Sequence, residues 1–336
     1  MVGIDEVARH AGVSTATVSR ALSGRGRLSD TTRERVRRAA ADLGYVVSSS
    51  ASSLATGRTQ SIGVLVPLLD QWFYASVLDG IAGRLAPLGY DITLYNLTAD
   101  PAQRQRLFAT SLRRGRVDAV IALSLDLDES EVDDLLRVGL PVVGLGTPSP
   151  RLSTLRVDDA AVARVATEHL LALGHRDIAH IGHSKSDSPD LDIPTLRRRG
   201  FERALRDAGI RPSAFVHADF TIGGGYRAAQ TLLTGDRPTA IFAASDEMAY
   251  GAMFAAREAG LDVPGDVSIV GVDGHDMSGF FGLTTIDQFP HAQGERAADA
   301  VLAALGEGDA VPPASLPFEL VVRTSTAPPC TRAVTL

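Results

Sequence analysis

The stretch "GVSTATVSRALSG", residues 12–24, holds a single charge, Arg20. Read as a helix from Ser14 to Leu22, it sets Val18 and Leu22 four residues apart on one face, with Ala21 beside them. Thr15, Ala16, Ser19 and Arg20 fall mainly on the opposite side. A solvated helix face ordinarily carries Glu, Lys and Arg, which favour the helix and keep it soluble. A face of Ser, Thr and Ala with one long cation at its end suits a helix whose outer side comes very close to something.

The flanks have the same short-helix rhythm. Ile4, Val7, Ala8 and Ala11 share a face that Gly12 ends, and a third helix opened by "SDTTRE" turns Val36, Ala39, Ala40 and Leu43 inward before Gly44. Two helices joined by a tight Gly-containing turn, closed by a third, describe a helix-turn-helix unit, whose second helix enters the DNA major groove. Short side chains then let the backbone approach the base edges, and Arg20 is positioned to pair with a guanine. The candidate DNA contacts are Ser14, Thr15, Ala16, Thr17, Ser19 and Arg20. The alternative at this point is a helical capping subdomain that meets no nucleic acid.

Charge favours the first reading. Residues 1–58 hold nine arginines against five acids, a net of +4, whereas the remainder carries −11 within a total of −7. A basic head on an acidic body implies that only the head meets a polyanion. No apolar run approaches the roughly 20 residues of a membrane helix. The chain opens "MVGIDEVARHAGV" without an apolar leader, and Cys330 is its single cysteine, so a cytoplasmic setting without disulfides is expected.

After the head, "VVSSSASSLATGRT" (46–59) is Ser-rich and nearly uncharged, a linker by composition in which Leu54 is the odd apolar residue. From Ser61 onward apolar runs alternate with helix-length segments: "SIGVLVP", "DITLY", "DAVIAL", "PVVGLG", then "IAHIGH", "AIFAAS" and "SIVGVD". Such strands belong to parallel sheets covered on both faces, and their number predicts two doubly wound α/β subdomains. Ligands bind beyond the carboxyl ends of such strands, which singles out the loops after Val66, Ala244 and Val272.

Trp72, Phe73 and Tyr74 cluster at the first of these ends, either as a plug over the core or as an aromatic platform for a small molecule. Asp246 and Asp273 stand at the other two, as helix caps or as acceptors for ligand hydroxyls. Arg197 to Arg199 read as a solvated helix start. Catalytic signals are lacking: there is no GxSxG elbow, Walker loop, HExxH or CxxC pair. His180 and His183 sit in one strand-like run and face opposite ways, which favours structural histidines over a metal site, and no cofactor site is expected.

Taken together these residues resemble the LacI/GalR family of bacterial transcription regulators over essentially the whole chain. The head "IDEVARHAGVSTATVSRALSG...LSDTTRERVRRAAADLGY" is similar to the family signature almost position by position, and "TEHLLALGHRDIAHIG", "RRRGF", "PTAIFAASDEMAYGA", "GLDVPGDVSIVGVDG" and "LPFELVVRTSTAPP" follow in the right order. The resemblance implies a helix-turn-helix head (1–46), a hinge (47–60) and an effector-binding, dimerising core (61–336). The core divides into 61–159 plus 290–320 and 160–289 plus 321–336, and is similar to periplasmic sugar-binding proteins. It implies a cytoplasmic homodimer on a pseudo-palindromic operator, a repressor controlled by a small ligand, expected to be a sugar. By position, Leu54 matches a hinge leucine that wedges into the minor groove. Phe73, Tyr74, Arg197, Phe220, Asp246 and Asp273 match effector-pocket positions; Trp72 is added on local chemistry alone. Departures stand at Val47, Ser48 and Ser52 in the hinge region, and at Gly146 and Ser245 in the core. No heptad tail follows "TSTAPP". The rival readings, a sugar-uptake binding protein and a sugar-modifying enzyme, lack a leader and a catalytic pair respectively.

Overall fold

In the head, Gly12 decides where the first helix stops. Its φ of +63° is a left-handed turn that L side chains resist, and its amide closes the end of α1 (Ile4–Ala11). Ser14 then caps α2 (Thr15–Leu22), its Oγ accepting from the Thr17 amide at 3.3 Å. Ser29 does the same for α3 (Asp30–Asp42). Val7, Ala11, Val18, Ala21, Val36 and Ala39 are buried where the three helices meet. Such small side chains let the helices close on one another in a unit too short for a large core.

The computed structural model describes residues 2–22, 27–45, 57–97, 100–125, 127–146, 149–183, 193–309, 311–312 and 315–330. Contacts divide the chain into residues 1–60 with 115–118, and residues 61–114 with 119–336. The hinge positions Val47, Ser48, Ser52 and Leu54 lie outside the described residues.

The larger unit holds two sheets. The first, ordered β2-β1-β3-β4-β5, is wholly parallel: β1 (Ser61–Val66), β2 (Asp91–Asn96), β3 (Ala119–Leu123), β4 (Val142–Leu145) and β5 (Ser153–Leu155). The second runs β11-β10-β9-β8-β6-β7, from β6 (Ile178–Gly182), β7 (Phe215–His217), β8 (Ala240–Ala243), β9 (Ser268–Asp273), β10 (Thr284–Asp287) and β11 (Glu319–Val321). Only β11 is antiparallel, paired with β10. Most apolar runs of the sequence fill the sheet interiors, and β1, β3, β6 and β8 are buried at every residue; "DITLY" instead forms the edge strand β2, which has no fully buried residue. Four strands escape the sequence reading: β5, β7 and β11 are three-residue edge strands, and β10 is a four-residue interior strand with two threonines, all too short for a period to register.

Helices cover both sheets: α4 (Trp72–Leu85), α5 (Pro101–Arg106), α6 (Glu129–Arg137), α7 (Asp159–Ala172), α8 (Ile193–Asp207), α9 (Ile222–Leu232), α10 (Asp246–Glu258), α11 (Ser278–Phe281) and α12 (Pro290–Ala304). The chain crosses between subdomains three times. It leaves the first sheet near Arg156, returns after β10 so that α12 packs on α4, and crosses last beyond Ser315, which bridges Arg156. Because β11 already pairs with β10 from Glu319, the last crossing comes before the 320/321 division expected from the sequence.

His180 occupies the interior of the second subdomain. Its ring stacks on Phe242 at 4.7 Å and meets Phe201 and Phe215, while Nδ1 donates to the Phe242 carbonyl at 3.0 Å. Burial pulls its pKa down to about 4, so the folded protein holds it neutral where an unfolded chain protonates it. The stability it contributes is full above pH 6.5 and is lost as pH falls towards 4, about 3 kcal/mol at the limit. The His180→Phe variant keeps the stacking and removes the titration. Urea unfolding at pH 7 and pH 4.5 should therefore show wild type losing about 2 kcal/mol relative to this variant. Parallel pH profiles for the two proteins would mean that the imidazole reaches water.

Candidate DNA-recognition helix and effector cleft

On α2, Thr15, Ala16, Ser19 and Arg20 are exposed and Thr17 is half-buried. Val18 and Ala21, on the opposite face, are fully buried. Ser14, also exposed, has its hydroxyl engaged by the Thr17 amide and lies 2.9 Å from the Thr17 hydroxyl, so this pair builds the helix start. Arg20 folds back, its Nε donating to the Ala16 carbonyl at 3.1 Å. The outer face is thus short and polar, with Arg20 as its one long cation.

The core's candidate residues converge on the cleft between the two sheets. Arg197 on α8 is only 4% exposed, yet it is the hub of the site. Nε donates to Asp159 Oδ1 at 2.9 Å, Nη1 to the Ala244 carbonyl at 2.5 Å, and Nη2 to Gln288 Oε1 at 3.3 Å. Asp273 Oδ1 stands 3.7 Å from Nη1 and accepts from Gln288 Nε2 at 2.8 Å. The solvated helix start suggested by the residues alone is therefore corrected: Arg197 is a buried ion-pair centre. Asp273 has a φ of +123°, a strained conformation for a non-glycine residue and one found where function fixes a side chain. Burial drives the Asp273 carboxyl well above its ordinary pKa, against the pull of Arg197; burial also raises Asp159.

From the first subdomain, Phe73 and Tyr74 meet edge to face at 5.6 Å. The Tyr74 hydroxyl bonds Ser124 in the field of Asp273, Arg197 and Asp159, and burial lifts its pKa to about 12. Gly146 packs here too, at a φ of +70° that strains any other residue, and a Cβ there would stand 2.7 Å from the Ser124 hydroxyl oxygen. Phe220 is half-buried with its ring 6.2 Å from that of His183, and His183 lies 4.7 Å from His217. His180 lies in β6, whereas His183 follows the strand's end, so the two do not share one strand as the sequence run suggested.

Asp246 and Trp72 have partners that the sequence does not show. Asp246 is not the helix cap. Ser245 caps α10, accepting from the Met248 amide, while Asp246 is fully buried. Its oxygens accept from the Thr285 hydroxyl (2.6 Å), the His275 amide (2.8 Å) and the Ser278 hydroxyl (2.8 Å), which together take three of the roughly four acceptor positions of a carboxylate. Burial raises its pKa to about 7 despite those donors. Asp246 holds the loop after β9 in place. Trp72, expected as a ligand platform, reaches across to that loop. Its indole stacks on His275 at 4.4 Å, Nε1 donates to Asp276 Oδ2 at 3.3 Å, and its amide donates to Glu247 Oε1 at 3.2 Å. Neighbouring Gln71 donates to the Phe220 carbonyl at 3.2 Å.

Asp159, Ser124, Gln288, His275 and Asp276 went unnoticed in the sequence. Asp159 follows Asp158 at a helix start, where a cap is the ordinary explanation, and Asp158 is indeed the cap. The others sit in loops, with no period to mark them. Among the described residues no three His, Cys, Asp or Glu side chains form a metal cluster, and no helix is long and apolar enough to cross a membrane.

Comparison with known proteins agrees with this architecture. Residues 3–48 match the family described as bacterial regulatory proteins, lacI family, and residues 167–326 match a periplasmic binding protein-like domain. The HTH-type transcriptional regulator DegA of Bacillus subtilis is 32% identical over 335 residues, covering 97% of this chain and 98% of that protein. The lac repressor dimer bound to operator and the anti-inducer ONPF superposes with a TM-score of 0.83 at 29% identity, over 97% of this chain and 99% of that one. The regulator CelR in complex with cellobiose gives 0.70 at 30% identity, over 97% and 100%. A helix-turn-helix head followed by two parallel α/β subdomains, matched along almost its full length, places this chain in the lacI family of bacterial regulatory proteins.

Proposed function

We propose that the protein is a cytoplasmic, homodimeric, sequence-specific repressor with its DNA-binding head in residues 1–46, a hinge in 47–60 and an effector-binding core in 61–336. The observation that carries this reading is the outer face of α2, short-chained and exposed on a closed three-helix core, with Arg20 as its one long cation. Two heads in a dimer read a pseudo-palindromic operator. Leu54 is proposed as the hinge wedge on the family resemblance.

The dimer reading is supported by an exposed apolar patch on the second subdomain. Phe280 is 85% exposed, and Met277, Phe281, Phe254 and Val322 add to the exposed apolar surface of that subdomain. A second copy of the chain is the occupant this reading assigns to it; the lac repressor structure that this chain resembles is a dimer.

The effector is a small polyhydroxylated molecule, a sugar, held by Arg197, Asp273, Phe73, Tyr74 and Phe220. Asp246 acts through the loop it pins, and Trp72 acts at the mouth of the cleft. A ligand spanning both subdomains changes the angle between them and so the spacing of the heads, to the extent that it favours one state over the other.

Arg20→Ala tests the head directly. Operator affinity should fall by roughly 1–3 kcal/mol, while salt-sensitive binding to random DNA stays within about twofold. Electrophoretic shifts with fragments upstream of the protein's own gene read both. Equal losses on the two DNAs would demote Arg20 to a phosphate contact, and no specific shift at all for wild type would remove the reading.

A further inference from the structure

The first turn of α4 is held by the other subdomain. Gln71, at its N-cap position, does not cap the helix with its own side chain; the side-chain amide reaches across to the Phe220 carbonyl at 3.2 Å. The Trp72 amide is one of the donors that a helix start leaves without an internal acceptor. It finds Glu247 Oε1, on α10, at 3.2 Å. The Trp72 indole lies on His275 with ring centroids 4.4 Å apart, and its Nε1 donates to Asp276 at 3.3 Å. Two consecutive residues therefore clasp three separate segments of the second subdomain.

The second subdomain's side of this clasp is fixed. The His275 amide and the Ser278 hydroxyl both donate to Asp246, and the Met277 amide donates to His275 Nδ1 at 3.0 Å, which sets the orientation of the ring. Tyr250 meets that ring edge-on at 5.4 Å. The clasp itself is weaker. Its three hydrogen bonds, at 3.2–3.3 Å, are long, and Gln71, Trp72, Glu247 and His275 are half-buried, so water takes over each bond when they part. Tyr74 and Asp273 lie two residues along the chain from Trp72 and His275, and Tyr74 stands in the field of Asp273 and Arg197. The clasp is thus adjacent to the residues assigned to the effector.

We propose that Gln71 and Trp72 form a gate over the cleft: a small molecule reaches Tyr74, Arg197 and Asp273 only after Trp72 has left His275. The gate rests on the reading of this cleft as the effector site. Opening it costs one aromatic stack and three long hydrogen bonds, each partly repaid by water, so the open form is a minor population in exchange with the closed one. Effector association is then slower than free encounter in proportion to the open fraction.

The test needs neither effector nor DNA. Ser124→Cys in a Cys330→Ser background places the chain's one thiol beside Tyr74. Iodoacetamide, small and uncharged, should label it slowly, and adding His275→Ala should speed labelling about tenfold through loss of the stack. Asp276→Ala, at an exposed residue, removes only the indole hydrogen bond and should give about threefold; it carries the test should His275→Ala unfold. Arg20→Ala, altered in the head, should leave the rate unchanged. Without the added thiol, acrylamide quenching of Trp72, the only tryptophan, should rise in His275→Ala. Equal labelling rates in the gate variants and their parent overturn the gate, as does a parent labelled as fast as the urea-unfolded chain. Increased quenching without faster labelling overturns it too, because Trp72 would then stack beside an entrance it does not close. A failed operator shift, by contrast, would sink the repressor reading and leave these rates untouched.

Discussion

Replacing Arg197 with alanine is expected to cost about 3–5 kcal/mol of folding stability at neutral pH, the range for removing one partner of a buried ion pair. The guanidinium now answers Asp159, Asp273, Gln288 and the Ala244 carbonyl at once. Without it two carboxyls already pushed upward by burial lose the cation that opposes that push. They then take up protons in the folded state that the unfolded chain releases, so the variant binds more protons folded than unfolded. Its stability deficit should therefore be largest at alkaline pH and shrink as pH falls towards 5. Urea midpoints at pH 8 and pH 5.5 check this, with Arg197→Lys intermediate because it restores charge without the planar fork. A deficit that does not vary with pH would mean that the carboxyls are solvated. If the variant remains folded, it should hold operator DNA and ignore the effector.

The second large effect lies at Gly251. Helices α9 and α10 cross at Gly225 and Gly251, each pressed on the other's backbone. A Cβ at Gly251 would stand 2.1 Å from the Ile222 carbonyl oxygen, and one at Gly225 2.2 Å from that of Met248. Neither obstacle is a flexible side-chain tip, so the helices must separate and unpack the small core side chains Ala228, Ala229, Ala252 and Ala255. Gly251→Ala should cost about 3 kcal/mol or more, against the gain of up to about 1 kcal/mol that alanine brings to an exposed helix. Gly83→Ala, at a helical glycine with open space around it, is the control and should be neutral or stabilising. Similar melting points for the two variants would show that the α9–α10 crossing is looser than its backbone distances imply.

The sequence by itself determined the parts governed by local patterns. Val7, Val18 and Val36 mark helix faces through their spacing, Gly12 and Ser14 mark a turn and a cap, and β1, β3, β6 and β8 stand out because central parallel strands are apolar on both faces. The exposed face of α2 was legible for the same reason: a helix has one buried side, and its other side is whatever remains. The tertiary structure alone decided what each polar residue of the cleft does, since its partners lie far away in sequence. Arg197 meets Asp159 and Gln288 at separations of 38 and 91 residues, and Trp72 meets Asp276 at 204. No period connects such pairs. Asp246 illustrates the limit: at a strand's carboxyl end it has the chemistry of a ligand contact, but Thr285, His275 and Ser278 claim its oxygens from loops brought in by the fold. Periodicity records which side of an element is covered; only the packed chain records which groups satisfy a buried charge.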